Sequence, residues 1–310
     1  MRLLSHAKNG RSRGAVLSAG VAVDLAAAVE LAGLPAPADG LLSVRDYLAA
    51  GHPNDLVAEA AARLAATGNG IPEHELRLLP PVPDPDKILC IGLNYRDHAA
   101  EAGLDLPTEP MVFAKFRNCL IGPSDEIVLP DEVERVDYEA ELAVVIGRRG
   151  KGIPVADAHR YIAGITVFND VSARDLQLAT SQWTLGKSVD TFGPCGPWLV
   201  TLDEIADVAD LRMRTRVNGT VVQDSSTAEM VFGVAELVAY LSQAMTLEPG
   251  DLIATGTPAG VGFKRNPPVL LRAGDVVEVE IDEVGLLSNP VAAPTPAGRR
   301  PVAATAPGER

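Results

Sequence analysis

Residues 137–147 read DYEAELAVVIG. Glu139 and Glu141 stand two apart, and on an extended strand that period turns both carboxylates to one face. Ala140, Leu142 and Val144 take the other face. Like charges side by side repel unless water surrounds them or something positive lies between them. A solvent-facing edge is one reading of such a pair. The apolar run that follows favours the other, an inner strand whose carboxylates turn into a cleft.

Downstream, AGITVFND (163–170) is a second apolar strand with polar residues gathered at its end. A carboxylate there, Asp170, needs a partner or an open cleft. Three carboxylates with no histidine among them form a hard-oxygen set. Such a set suits Mg²⁺ or Mn²⁺ better than a soft metal, with waters or substrate oxygens completing the shell. Upstream, ILCIGLN (88–94) and MVFAKF (111–116) read as strands around a helical turn, RDHAAEAG (96–103). RMRTRVNGTVVQ (212–223) alternates on both sides of Asn218–Gly219, a strong hairpin signal. Residues 227–245 carry an amphipathic helix pattern. DLIATG (251–256) and VVEVEIDEVG (276–285) are late strands. The expected class is α+β, mostly β.

Residues 1–80 read as a small leading α/β unit. It holds two short strands around a Ser18–Gly20 turn, then helices in SVRDYLAA (43–50) and DLVAEAAARLAAT (55–67). Proline density between 68 and 86 predicts a rigid connection. A second unit is expected over 81–291, and a disordered tail over 292–310, where little could pack.

The formal net charge is −14, from 27 basic and 41 acidic residues. That balance argues against a nucleic-acid surface and against docking on an anionic membrane. No apolar run is long enough to span a bilayer. Arg11 and Arg13 precede AVLSAGVAV, but Asp24 interrupts that run, so it is not read as an export signal. The three cysteines, Cys90, Cys119 and Cys195, are far apart and odd in number. They predict buried thiols in a reducing compartment, and a cytoplasmic location is expected. Nucleotide-binding glycine loops, G-x-S-x-G and H-E-x-x-H are all absent.

Two further constellations carry chemistry. His98 and Glu101 are three apart on a helical turn, where their side chains can meet. A carboxylate there orients the imidazole and favours its protonated form, as a general base requires. A solvent-facing pair is the plainer alternative. Thr257 lies in TGTPAGVG (255–262), where Gly256 and Gly260 permit close backbone approach. It is either a substrate contact or part of a tight loop. Arg174 and Asp175 form either an ion pair that shapes the site or a direct substrate contact.

GLNYRDHAAE (92–101), DYEAELAVVIG (137–147), FNDVSARDLQ (168–177), LGKSVDTFGPCGPWLVT (185–201) and LEPGDLIATGTPAGVG (247–262) together resemble the fumarylacetoacetate hydrolase family. The resemblance covers about residues 87–290. The leading 80 residues resemble the small amino-terminal domain of longer bacterial members. The resemblance implies a mixed β-roll core, commonly a homodimer, and a Mg²⁺ or Mn²⁺ site built from Glu139, Glu141 and Asp170. It also implies a His98–Glu101 lid dyad, a site lysine at Lys187, and substrate-side residues at Gln177 and Thr257.

The substrates it implies are 2-oxo acids. The metal would grip the first carboxylate and the 2-oxo oxygen and stabilise the enolate left by C–C cleavage. Lys187 adds positive charge near that centre. The first expectation is hydrolysis of an acylpyruvate, with His98 and Glu101 activating water. Oxaloacetate decarboxylation or a hydroxymuconate-type isomerisation draws on the same electron sink. A non-catalytic binding protein of the same fold is the rival outside enzymes.

Overall fold

The computed structural model describes residues 1–8 and 10–294. Its main sheet is mixed. From one edge to the other run Ile71–Pro72, Val21–Asp24, Arg11–Ser18, Arg2–Lys8, Gly193–Val200, Ile162–Asn169, Ala140–Ile146, Leu252–Ala254, Ile88–Gly92 and Met111–Lys115. The neighbours are antiparallel except Leu252–Ala254 beside Ile88–Gly92, which is parallel. A second sheet of five strands carries the predicted hairpin, Arg212–Val217 with Thr220–Ser226, followed by Val276–Ile281, Gly285–Ala292 and Ile127–Val128.

The central strand Ala140–Ile146 is buried along its whole length. Its alternation splits two cores. Ala140, Leu142, Val144 and Ile146 face a cluster with Met213, Val279, Ile281 and Leu287 of the second sheet. Leu237, Val238 and Leu241 of the Val234–Ala244 helix close that cluster. Ala143 and Val145 face the other cluster, with Leu25, Val29, Tyr47 and Val57 of the leading helices. Glu141 shares this second face by period. The inner-strand reading is the one the structure bears out.

The architecture is α+β, with a large mixed β core and smaller amino-terminal α/β elements. The leading helices, Leu25–Leu31, Val44–Ala50 and Asn54–Ala66, start and stop by ordinary rules. Asp24 and Ser43 cap the first two through their side chains, and Gly51 ends the second at φ +66°. Cys90, Cys119 and Cys195 are all buried and unpaired. Among the described residues no helix is long and apolar enough to cross a membrane.

Three local expectations need correction. The helix pattern over 227–245 yields an α-helix only from Val234, after a single 3-10 turn at Thr227–Glu229; the extended Gly233 caps the α-helix, its N–H donating to Glu236. Two strands, Arg2–Lys8 and Gly193–Val200, were not expected at all. The tail boundary also shifts: Ala292 still pairs with Val128, while residues 295–310 of the expected disordered tail lie outside the described residues.

Candidate metal and acid–base site

Register brings the carboxylates together. Ala140 lies opposite Asn169 on the antiparallel neighbour. Glu139, one residue before the first strand, therefore meets Asp170, one residue past the end of the second. The Asp170 N–H donates to the Glu139 carbonyl at 2.9 Å, and Asn169 Oδ1 accepts the Glu139 N–H at 3.0 Å. One oxygen from each of Glu139, Glu141 and Asp170 lies within 4.8 Å of the others, and all three residues are buried.

Cations surround this cluster. Lys187 Nζ donates to Glu139 at 2.6 Å and to Asp170 at 2.7 Å. Lys115 Nζ donates to the other Asp170 oxygen at 2.7 Å and to the Val171 carbonyl at 3.2 Å. Arg174 donates to Glu139 at 2.6 Å and, through two nitrogens, to Asp137 at 3.0 and 2.7 Å. Lys187 reaches in because its short helix, Thr184–Lys187, packs closely on Arg174–Gln177. A Cβ on Gly186 would lie 2.6 Å from that of Gln177. Glycine at 186 is a steric requirement.

Four carboxylates, Asp137, Glu139, Glu141 and Asp170, thus face three cations. Among the described residues Glu141 is the one of these without a cationic partner; its Oε2 accepts the Gly256 N–H, at 2.9 Å. Burial, then repulsion from Asp170 and Glu139, pushes its pKa well above the usual carboxylate range. Burial also opposes ionisation of Glu139, but Lys187 and Arg174 outweigh it and hold that carboxyl at about 2. Lys187 is shifted upward: Asp170 and Glu139 overcome the burial that would lower it. A divalent cation at the common point supplies the charge Glu141 lacks. Its hard-oxygen chemistry matches the donor set. The residues present therefore fit a divalent ion.

His98 and Glu101 do meet. They lie on the Arg96–Ala102 helix, with Nδ1 to Oε2 at 3.2 Å. The other Glu101 oxygen accepts the Gly260 N–H at 3.0 Å. Burial works against the Glu101 charge, but the His98 contact and the Gly260 N–H outweigh it and lower the pKa. The helix is braced at its start. Asn94 bonds both ways to Phe232 and donates to the Thr255 carbonyl, and Asp97 accepts from Ser225.

One cavity of about 350 Å³ is lined by His98, Glu139, Glu141, Arg174, Gln177, Lys187 and Thr257. Leu93, Met111, Phe113, Leu178 and Trp183 form its apolar side. Gln177 accepts from Arg174 at 2.7 Å, which leaves its amide nitrogen for a ligand. Thr257 accepts from Gln223 at 2.9 Å, which leaves its hydroxyl proton free to donate. The suggested Arg174–Asp175 ion pair does not form. Asp175 accepts the Glu134 and Arg135 N–H groups instead, each at 2.8 Å.

Three contributors were missed in the sequence. Lys115 ends an apolar strand much as Asp170 does, and that parallel was its only signal. Asp137 precedes Glu139 by two, the same spacing that picked out Glu141. Gln223 bridges the Ala140 N–H, Thr215 and Thr257 from the hairpin, and nothing local marks it.

Known proteins share this fold. The model of the fumarylacetoacetate (FAA) hydrolase C-terminal family matches residues 87–292. The mitochondrial oxaloacetate tautomerase FAHD2A of Bos taurus is 52% identical over 223 residues, 71% of each chain. The fumarylacetoacetate hydrolase of Exiguobacterium antarcticum superposes with a TM-score of 0.76 at 35% identity, covering 94% of this chain and 99% of that one. A 2-hydroxyhepta-2,4-diene-1,7-dioate isomerase from Mycobacterium marinum gives 0.74 at 36%, covering 96% and 100%. The bovine, rat, human and frog tautomerases are named as mitochondrial, which overturns the expectation of a cytoplasmic location. Buried thiols in a reducing environment do not separate one compartment from the other. The chain belongs to the fumarylacetoacetate hydrolase family, and Glu139, Glu141 and Asp170 give it a buried acidic cluster able to hold a divalent cation.

Proposed function

We propose that the chain interconverts the keto and enol forms of a 2-oxo dicarboxylic acid of the oxaloacetate type, with Mg²⁺ or Mn²⁺ held by Glu139, Glu141 and Asp170. One observation carries this reading: His98, held by a braced Glu101, lines the same cavity as Glu139 and Glu141 of the three-carboxylate cluster. When bound, the ion supplies positive charge beside the 2-oxo oxygen, where the enolate charge gathers.

The remaining steps belong to the chain. His98 Nδ1 is committed to Glu101, so Nε2 takes the proton from C3 and returns it to oxygen or carbon. Glu101, held ionised by Gly260, stabilises the imidazolium between the two transfers. Thr257 and Gln177 offer a hydroxyl and an amide to the substrate carboxylate. The apolar side keeps bulk water from trapping the enolate.

Hydrolysis, first in the sequence reading, asks more of the same groups: an activated water and a broken C–C bond. The names of the relatives that are about half identical favour the isomerising alternative. A homodimer, which the resemblance implies, is part of this proposal and is tested by light scattering on the purified chain.

The decisive experiment follows the ultraviolet absorbance of enol-oxaloacetate after addition of Mg²⁺-loaded protein, with products identified by NMR. The enol signal should decay faster than its uncatalysed rate, with no carbon dioxide released. His98→Gln should slow that decay by about 10²- to 10⁴-fold. Undiminished decay in the variant removes the acid–base assignment. Cleavage of an acylpyruvate without enol decay restores the hydrolytic reading.

A further inference from the structure

The cavity is lined by four basic side chains, and three are committed. Arg174 donates to Asp137 and Glu139, Lys187 donates to Glu139 and Asp170, and His98 is paired with Glu101. Lys264 lines the same cavity, yet no carboxylate among the described residues lies within 4.0 Å of its ammonium group.

Its position is fixed by the same network that shapes the carboxylate centre. Lys264 ends the one-turn helix Gly262–Lys264. The Gly262 and Phe263 N–H groups donate to Asp137 at 2.7 and 3.2 Å, and Asp137 is the carboxylate that holds Arg174. Two cations lie over the Phe263 ring: Arg174 Cζ is 4.3 Å and Lys264 Nζ 5.2 Å from its centroid. The lysine backbone is thus tied to the site, while its charge stays unspent at the rim.

A 2-oxo dicarboxylic acid brings two carboxylates. The first, with the oxo oxygen, belongs at the Glu139–Glu141–Asp170 centre. The second would meet Leu93, Met111, Phe113, Leu178 and Trp183 on the apolar side, where an unpaired carboxylate is costly to bury. We propose that Lys264 reads this second carboxylate and makes the site select 2-oxo dicarboxylic acids over monocarboxylic acids of the same length. This rests on the reading above only in that a 2-oxo acid is held by its first two oxygens. It does not depend on which bond or proton then moves.

The test is calorimetric binding to the Mg²⁺-loaded full chain of oxaloacetate and of 2-oxobutanoate, in which a methyl group replaces the distal carboxylate. The wild type should bind oxaloacetate about tenfold more tightly or better, as suits one charge-assisted contact. Lys264→Met should erase that preference by weakening oxaloacetate alone, and Lys264→Arg should retain it. Lys264 is exposed, so the variants should melt with the wild type. A wild type without preference, a Lys264→Met that keeps it, or one that weakens both ligands alike overturns the assignment. If the preference behaves as expected while enol decay is not accelerated, the tautomerase reading falls and Lys264 stands. If decay is accelerated while Lys264→Met binds both acids as the wild type does, Lys264 falls alone.

Discussion

Glu141 and Lys115 occupy opposite ends of the charge balance. Glu141 lacks a cation, and Lys115 is a buried cation whose Nζ reaches one carboxylate, Asp170, together with the Val171 carbonyl. Removing Lys115 leaves Asp170 to Lys187 alone. Lys115→Met should therefore destabilise the metal-free protein by about 1.5–3 kcal/mol, the worth of one hydrogen bond between charged groups, read from urea midpoints. Added Mg²⁺ should recover part of that loss, because it takes over the neutralisation of Asp170. The same logic predicts a metal-dependent melting temperature. At a Mg²⁺ concentration about 100 times its Kd, the bound ion contributes about 2.7 kcal/mol, which a chelator should remove. A melt that ignores both Mg²⁺ and chelator would exclude a cation at the three carboxylates.

Elements explain which parts of the site were legible. The Glu139–Glu141 pair is visible because strand period and charge repulsion act over three residues, and the apolar run beside it decides burial. Asp170 is visible because it stands at the end of such a run. Lys115 has the same grammar, but a lysine at a strand end is so often a solvated one that only its side-chain contact with Asp170 distinguishes it. Gly193–Val200 is hidden by its own composition. Its glycines and prolines read as loop, yet it pairs with Ile162–Asn169 on one edge and with Arg2–Lys8 on the other. Its strand state comes from neighbours rather than propensity. The loop after Leu252–Ala254 was read correctly as a place for glycine. Gly256 has φ +100°, and a Cβ there would lie 2.9 Å from that of Asn94 and 3.0 Å from the Ile91 carbonyl. Gly256→Ala should cost about 1–3 kcal/mol in thermal unfolding and weaken Mg²⁺ binding in calorimetry, since its N–H holds Glu141. Normal Mg²⁺ affinity in a destabilised variant would separate the two roles.

Across the whole molecule, the first strand places an ionisable group in the interior. His6 is buried, and among the described residues its Nδ1 has no partner. Burial first, then the nearby Lys8 charge, lowers its pKa below the ordinary histidine value. The folded state therefore binds fewer protons than the unfolded chain. The stability contributed by neutral His6 is fully present above about pH 6.5 and declines as pH falls toward the lowered folded value. Urea midpoints at about pH 7.5 and about pH 5.5 should differ in the wild type, and the difference should shrink in His6→Gln. An unchanged difference would place the acid sensitivity elsewhere.

The pairing of Arg2 with Val200 and of Leu3 with Leu199 also imposes an order on biosynthesis. The Arg2–Lys8 and Arg11–Ser18 hairpin can close as soon as it leaves the ribosome. At Ser5 and His6 its outer edge finds Leu78–Leu79, but at Arg2 and Leu3 it waits for a partner nearly two hundred residues away in the nascent chain. Through that interval a half-paired apolar strand is a template for the wrong neighbour. Chaperone demand should accordingly peak before residue 200 emerges, and synonymous codon changes that slow translation between the two strands should raise aggregation without altering the finished protein.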